Sequence, residues 1–512
     1  MKKTYIILAL TALTAASCKK DFIDLTPKDS YTDATFYKTV DQFKQADIAA
    51  YAPLRDVLVN DYFTSEMRSD NTIYQPYPSN RGTAYLYRES ISNFTNTSTN
   101  DYVNAVWQHC YTGISRTNIV IERLKTTDFD AAVKAPIDGQ AKFLRAFYYF
   151  KLVRLFGGVP LFLKEVTKAE DAFLPRSAAD AIYNQIIADA KDAISELSAP
   201  AKFPQTGEAT KGSATILLAE VYATQKKWAD AETLLTTLSG MGYGLNANYA
   251  DAFTPGNKNS KESLFDIQFL EGTVLGTTPN PLPFHFLPRS TNTSIITGIN
   301  INNSSTGGWN TPTQDLINAY EPNDKRLDAS IGIVEGTYNA SDLFVYSANK
   351  SVIGYTPAAG KMGVPYIKKY EHPPLIAVTG SSDNFPVYRY SDALLLLAEA
   401  QNEQGKSPLT ALNTVRSRAG LPATTTADQA SLRTIIAHER RVELAFENHR
   451  WNDLVRTGKA VDVMNAFGAV LKTQVNYLTP DTYNVTANKL LYPIPQPEID
   501  LNPGQMTQNP GY

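Results

Sequence analysis

Glu439 and Glu443 stand four residues apart within the stripe Leu432, Ile435, Ile436, Val442 and Phe446, whose spacing is helical. One turn of helix therefore places two carboxylates side by side, the residue pair that glycoside hydrolases use as acid and base. The same stripe is the face that turns inward, and buried charge is costly unless partners are supplied. Arg389, Arg416, Arg418, Arg440, Arg441 and Arg450 are the nearby candidates, so the expectation is an ion-paired seam between helices, with the catalytic pair as the alternative. Other catalytic signatures are missing. The chain has no GxSxG elbow and no P-loop, and His438-Glu439 is followed by Val442 where a zinc-protease helix needs its second histidine. The 5 histidines are dispersed, which leaves no cluster with metal-ligand spacing and no cofactor to expect. Asp70-Asn71 and Asp324 have oxygen ligands for a cation but read as turn acids.

Binding chemistry is better represented. A sugar offers a face of C–H groups and an edge of hydroxyls, so a sugar site needs flat rings beside amides, carboxylates or guanidinium groups. Two loops have that composition: Asn71 to Arg81 leading into Tyr85 and Tyr87, and a later region with Phe284-His285-Phe286 and Trp309-Asn310. Tyr74, Tyr77, Arg81 and Trp309 are the expected ligand contacts, with Asn80 and Asn310 as hydrogen-bonding companions. The competing account is that several of these rings simply cover the scaffold.

That scaffold reads as helical. Residues 390–400 are apolar on every side, a helix buried all round, ended by Gly405; a second opens at Ser407 as N-cap with Pro408 in the first turn and stops at Gly420. Further helical patterns run over about 40–59, 104–124, 139–156, 178–197, 211–226 and 228–238. The run Ala214 to Tyr222 followed by Trp228-Ala229-Asp230-Ala231 and Leu234 resembles a tetratricopeptide repeat. Residues 242–386 are rich in Gly, Asn, Ser, Thr and Pro, and an insertion of that length usually carries function.

The first residues suggest export. Lys2 and Lys3 precede an apolar run from Tyr5 to Leu13 that is too short to span a bilayer, then Ala15-Ala16-Ser17-Cys18, the pattern of a lipoprotein signal in which Cys18 is acylated. With only two cysteines, that leaves Cys110 without a disulfide partner and expected as a small buried hydrophobe. A net charge of −3 provides no basic field for nucleic acid.

Several motifs together resemble the SusD/RagB family of nutrient-binding outer-membrane lipoproteins. They are Val387-Tyr388-Arg389-Tyr390-Ser391-Asp392 running into the helix, Glu439 to Glu447, Arg450-Trp451-Asn452-Asp453-Leu454, Leu491-Tyr492-Pro493-Ile494-Pro495 and the closing Gln508 to Tyr512. The resemblance implies a mainly α, tetratricopeptide-like scaffold with loop-rich insertions and a few short strands. It divides the chain into a signal peptide (1–17), a lipid anchor and tether (18–39) and one SusD-like domain (40–512). Within that domain the scaffold occupies about 40–60, 101–238 and 387–460, and the variable insertions about 61–100 and 239–386. It further implies a non-catalytic, cell-surface glycan-binding protein, lipid-anchored at Cys18, that passes its oligosaccharide to a SusC-like TonB-dependent transporter. A peptide-binding member of the same family and, less favoured, a lipoprotein glycoside hydrolase are the alternatives.

Overall fold

The computed structural model describes residues 36–76, 82–272, 276–375 and 380–512. The Thr39 hydroxyl accepts from the Gln42 N–H (3.3 Å) while the Gln42 side chain accepts from the Thr39 N–H (3.1 Å), a reciprocal cap that starts α1 (Val40–Tyr51). The single helix expected over 40–59 is in fact two. Pro53 lacks an N–H to continue the ladder and instead opens α2 (Pro53–Thr64) at a position where none is needed.

After α3 (Thr83–Ser92), a helical stack is built by α4 (Asp101–Lys125), α5 (Ala131–Phe156), α6 (Ala179–Glu196), α7 (Lys211–Thr224) and α8 (Trp228–Leu235), each packed on the next. The second half of α5 is buried on nearly every side: Phe143, Phe147, Tyr148, Tyr149 and Phe150 are all buried, and so are Arg145 and Lys151, which pair with Asp189 and Asp61. Gly113 on α4 lets this helix come close, since a Cβ there would lie 2.2 Å from the Tyr148 ring. Cys110, one turn away on α4, is buried in the same core.

The stack resumes with α9 (Tyr390–Glu403), which packs on α8, α10 (Leu409–Arg418) and α11 (Gln429–Glu443), followed by α12 (Arg450–Arg456) and α13 (Ala460–Gln474). The expected Ser407 cap is not formed: Pro408 itself occupies the N-cap with helical backbone angles and no side-chain bond. At the start of α11 the Asp428 carboxylate accepts from the Ser431 N–H at 2.7 Å.

Strands are few and short. β1 (Thr72–Ile73) pairs with β3 (Thr311–Pro312), β2 (Ser263–Ile267) with β7 (Phe385–Arg389), and β4 (Ile331–Tyr338) lies between β5 (Phe344–Ser351) and β6 (Met362–Ile367), all antiparallel. The loop-rich stretch between the two helical halves thus carries most of the strands. The main core runs from α2 through α8 and takes in β2, β7 and Tyr492 near the C-terminus. Among the described residues no helix is long and apolar enough to cross a membrane.

Candidate ligand-binding site

Glu439 and Glu443 do face the interior, each fully buried. Glu439 takes Arg326 at 2.6 Å and Arg416 at 2.9 Å. Glu443 takes Arg418 at 2.5 Å, Arg389 at 2.9 Å and Arg326 at 3.1 Å. Burial alone pushes the Glu443 carboxyl up, but the charges of Arg418, Arg389 and Arg326 outweigh it and hold the group well below the usual carboxylate range. A general acid must keep its proton near neutral pH and meet its substrate; Glu443 does not keep its proton, and neither carboxylate is exposed to a substrate. Arg389 also binds Glu447 (2.7 Å) and Glu262 (2.8 Å), and Arg326 binds Asp324 (2.8 Å), so the network clamps the insertion to the helical frame. The other expected arginines serve elsewhere: Arg440 pairs with Asp392 and Asp453, and Arg441 and Arg450 converge on Asp70. Asp70 and Asp324 are therefore occupied by guanidinium groups, and among the described residues no group of three or more His, Cys, Asp or Glu is placed to hold a metal.

The two aromatic loops meet. β1 and β3 bind residues far apart in sequence, Thr72 opposite Pro312 and Ile73 opposite Thr311, and the Gln75 N–H donates to the Gly308 carbonyl at 3.0 Å. Asn310 turns the chain with a positive φ of 58°, which asparagine tolerates better than most residues, and its Oδ1 accepts from the Thr72 hydroxyl at 2.5 Å. Trp309 is then pressed against Tyr62, Phe63 and His285, with ring centroids at 6.3, 5.4 and 4.2 Å.

This meeting corrects one expectation. Tyr74 and Trp309 are each only 6 % exposed and Asn310 is fully buried, so these side chains do not hold open faces to solvent. They form a lower layer, because a ring that closes the gap between two loops is worth more inside, where its whole area leaves water. Tyr77, Asn80 and Arg81 lie outside the described residues. The rings that solvent reaches are neighbours: Tyr85 and Tyr102 are half-buried and Tyr338 is 39 % exposed. Tyr85 lies edge-on to Tyr74 at 6.1 Å, and the Tyr338 hydroxyl accepts from the Gln75 amide.

Two guanidinium groups are threaded between the layers. Arg88, on α3, lies 4.1 Å over Trp309 and 5.2 Å from Tyr102, and donates to the Tyr74 hydroxyl at 3.4 Å. Arg289 lies 5.2 Å from Tyr85 and donates from Nε to the Ser304 carbonyl at 2.7 Å. Withdrawal from water, then the nearby Arg88 charge, pushes the His285 imidazole down to about 3, so it stays neutral. Trp309 Nε1 and Asn310 Nδ2 have no hydrogen-bond partner among the described residues. The assembly is thus a set of ring faces over an unusually donor-rich floor. Tyr102, Tyr338, Arg88 and Arg289 escaped the sequence reading because each sits in an unremarkable stretch, and only the fold brings them to one place.

A separate cleft of about 690 Å3 runs along α4 between Tyr111, Phe162, Phe173 and Leu501. It is aromatic too, with the Tyr111 hydroxyl bonded to the Pro160 carbonyl at 2.8 Å and with Gln108, Ser115 and Arg116 also in its lining.

Comparisons with known proteins agree with this architecture. The sequence model of the SusD family matches residues 235–512, and one described as "Starch-binding associating with outer membrane" matches residues 21–223. SusD-like protein P25 of Formosa agariphila is 26 % identical over 543 residues, covering 97 % of this chain and 96 % of that protein. A SusD-like protein of Bacteroides ovatus is 26 % identical over 89 % of this chain and 82 % of its own length. Among solved structures, a SusD homolog from Bacteroides thetaiotaomicron superposes with a TM-score of 0.76 at 24 % identity, covering 94 % of this chain and 99 % of that one. A laminarin-binding SusD-like protein superposes with a TM-score of 0.69 at 26 % identity, covering 91 % and 99 %. Matched by the family's own model over more than half its length, the chain belongs to the SusD family.

Proposed function

We propose that this protein binds an oligosaccharide non-catalytically at the face formed by Tyr85, Tyr102 and Tyr338, with Tyr74, Trp309 and Asn310 as the layer that fixes those rings. The observation that carries the reading is the junction itself: two insertions locked by β1 and β3 bring ring faces and donors together on one surface, which is what stacking on a sugar and satisfying its hydroxyls requires. The laminarin-binding relative supports a glycan ligand, and the arginine-locked glutamates favour capture without hydrolysis. The family model's reference to the outer membrane supports a lipid anchor at Cys18. The captured oligosaccharide passes to a SusC-like TonB-dependent transporter beneath the protein. Because Trp309 is held from both loops, binding needs little rearrangement.

Titration calorimetry of the protein against a panel of soluble glycans tests this. Tyr85→Ala and Tyr338→Ala should each weaken binding by about 1–2 kcal/mol, roughly 5- to 30-fold. Loss of binding in Phe173→Ala instead would move the site to the α4 cleft. Tight peptide binding with no response to any glycan would favour the peptide-binding alternative. Co-purification with the outer-membrane transporter tests the partner.

A further inference from the structure

Buried arginines in this protein are normally met by carboxylates: Arg145 by Asp189 at 2.7 Å, Arg154 by Glu220 at 2.6 Å, Arg440 by Asp392 at 2.8 Å and Arg456 by Glu399 at 2.6 Å. Arg68 lacks a carboxylate but donates to the Asn96 amide oxygen and to the carbonyls of Ile91 and Lys489. Arg88 differs from all of these. It is only 8 % exposed, has no ion pair among the described residues, and its Nε has no hydrogen-bond partner. Its surroundings are rings: Trp309, Tyr102 and Tyr85 at 4.1, 5.2 and 5.8 Å, and the acceptors it meets among the described residues are neutral phenol hydroxyls, those of Tyr74 at 3.4 Å and Tyr102.

A guanidinium held among rings keeps its charge but has lost most of its water, and an anion is the partner that restores most of the lost interaction. The charged groups around this guanidinium are of both signs, Glu89 next to it on α3 among them. His285 is neutral, Arg289 adds a second guanidinium beside Tyr85, and the acids felt by Tyr102 and Tyr338, Asp101 and Asp342, form no ion pair with Arg88. We propose that the ligand of this face is an acidic glycan, with a ring carboxylate or sulfate recognised by the Arg88 guanidinium while the sugar faces lie against the exposed tyrosines. This rests on the glycan reading above and narrows it to a substrate class.

The test is calorimetry with three oligosaccharides of similar length: a neutral β-glucan, a uronic-acid oligomer and a sulfated galactan oligomer, each in low and high salt. An acidic ligand should bind at least about tenfold more tightly than the neutral one in low salt, and the gap should shrink as salt rises. The uronate and sulfate arms identify which anion is read. Arg88→Gln should remove at least about tenfold of the acidic affinity and flatten its salt dependence, with Arg88→Lys retaining part of both. If Arg88→Gln does not fold by circular dichroism, the salt series on the unaltered protein decides. Neutral glycan bound as tightly as the acidic ones, or an acidic preference that survives in folded Arg88→Gln, overturns the proposal and leaves glycan capture standing. Failure to bind any glycan overturns both.

Discussion

Replacing Glu443 with Gln keeps the shape of the side chain and removes its charge from three guanidinium groups, those of Arg418, Arg389 and Arg326 at 2.5, 2.9 and 3.1 Å. Removing one partner from a buried ionic group typically costs about 3–5 kcal/mol, because the charges left behind stay desolvated. Here each arginine keeps another carboxylate: Arg418 keeps Glu262, Arg389 keeps Glu447, and Arg326 keeps Asp324 and Glu439. The expected loss is therefore at the lower end, about 3 kcal/mol, read by urea unfolding followed by circular dichroism. The pH dependence has a definite sign. Burial raises the carboxyl but the arginines lower it further, so its contribution is complete above the unfolded value of about 4.3 and is lost only as pH falls toward the depressed folded value. The gap between the two proteins should stay level from pH 8 to pH 5 and close below about pH 4. As a control, Glu122→Gln breaks an exposed pair with Lys125 at 2.5 Å and should change stability by less than about 0.5 kcal/mol. A gap below about 1 kcal/mol at pH 7, or one that closes between pH 8 and pH 6, would refute the clamp argument.

Gly113→Ala puts a methyl 2.2 Å from the Tyr148 ring and should cost about 1–3 kcal/mol in the same unfolding assay. Gly405→Ala meets no neighbour within 4 Å, so its cost comes only from the positive φ of 71° and should stay near 1 kcal/mol. Asp266 is the opposite case to Glu443: burial raises its carboxyl to about 7, so the folded state is penalised as pH rises from about 4 to 7. Asp266→Asn should gain up to about 4 kcal/mol at pH 8 and almost nothing at pH 4; an equal effect at both values contradicts a titration origin.

The helical frame was legible because α11 repeats its apolar residues at helical spacing, while α7 and α9 carry continuous apolar runs and Gly405 follows the end of α9. Local reading failed where one residue changed the outcome. Pro53 divides one expected helix into two, and Pro408 takes the cap assigned to Ser407. The charged seam was anticipated, yet Arg326, which reaches both glutamates, was not. Its pairing is a property of the fold, since it comes from an insertion rather than from any helix in the seam. At the candidate site the two loops named from composition meet in the fold, but composition does not say which side of a loop faces outward. Tyr74 and Trp309 were expected at the surface and lie beneath it, whereas Tyr102 was hidden in the regular pattern of α4.

On the proposed glycan reading, the two-residue ladder between β1 and β3 also bears on how specificity can change. Because the ring that seals the floor comes from one insertion and the guanidinium stacked on it from the other, neither loop is a portable recognition cassette. Grafting a foreign loop into one side would leave it without its counterpart. Diversification toward new ligands therefore has to proceed by matched exchange of both segments, while the helical frame beneath them stays as it is.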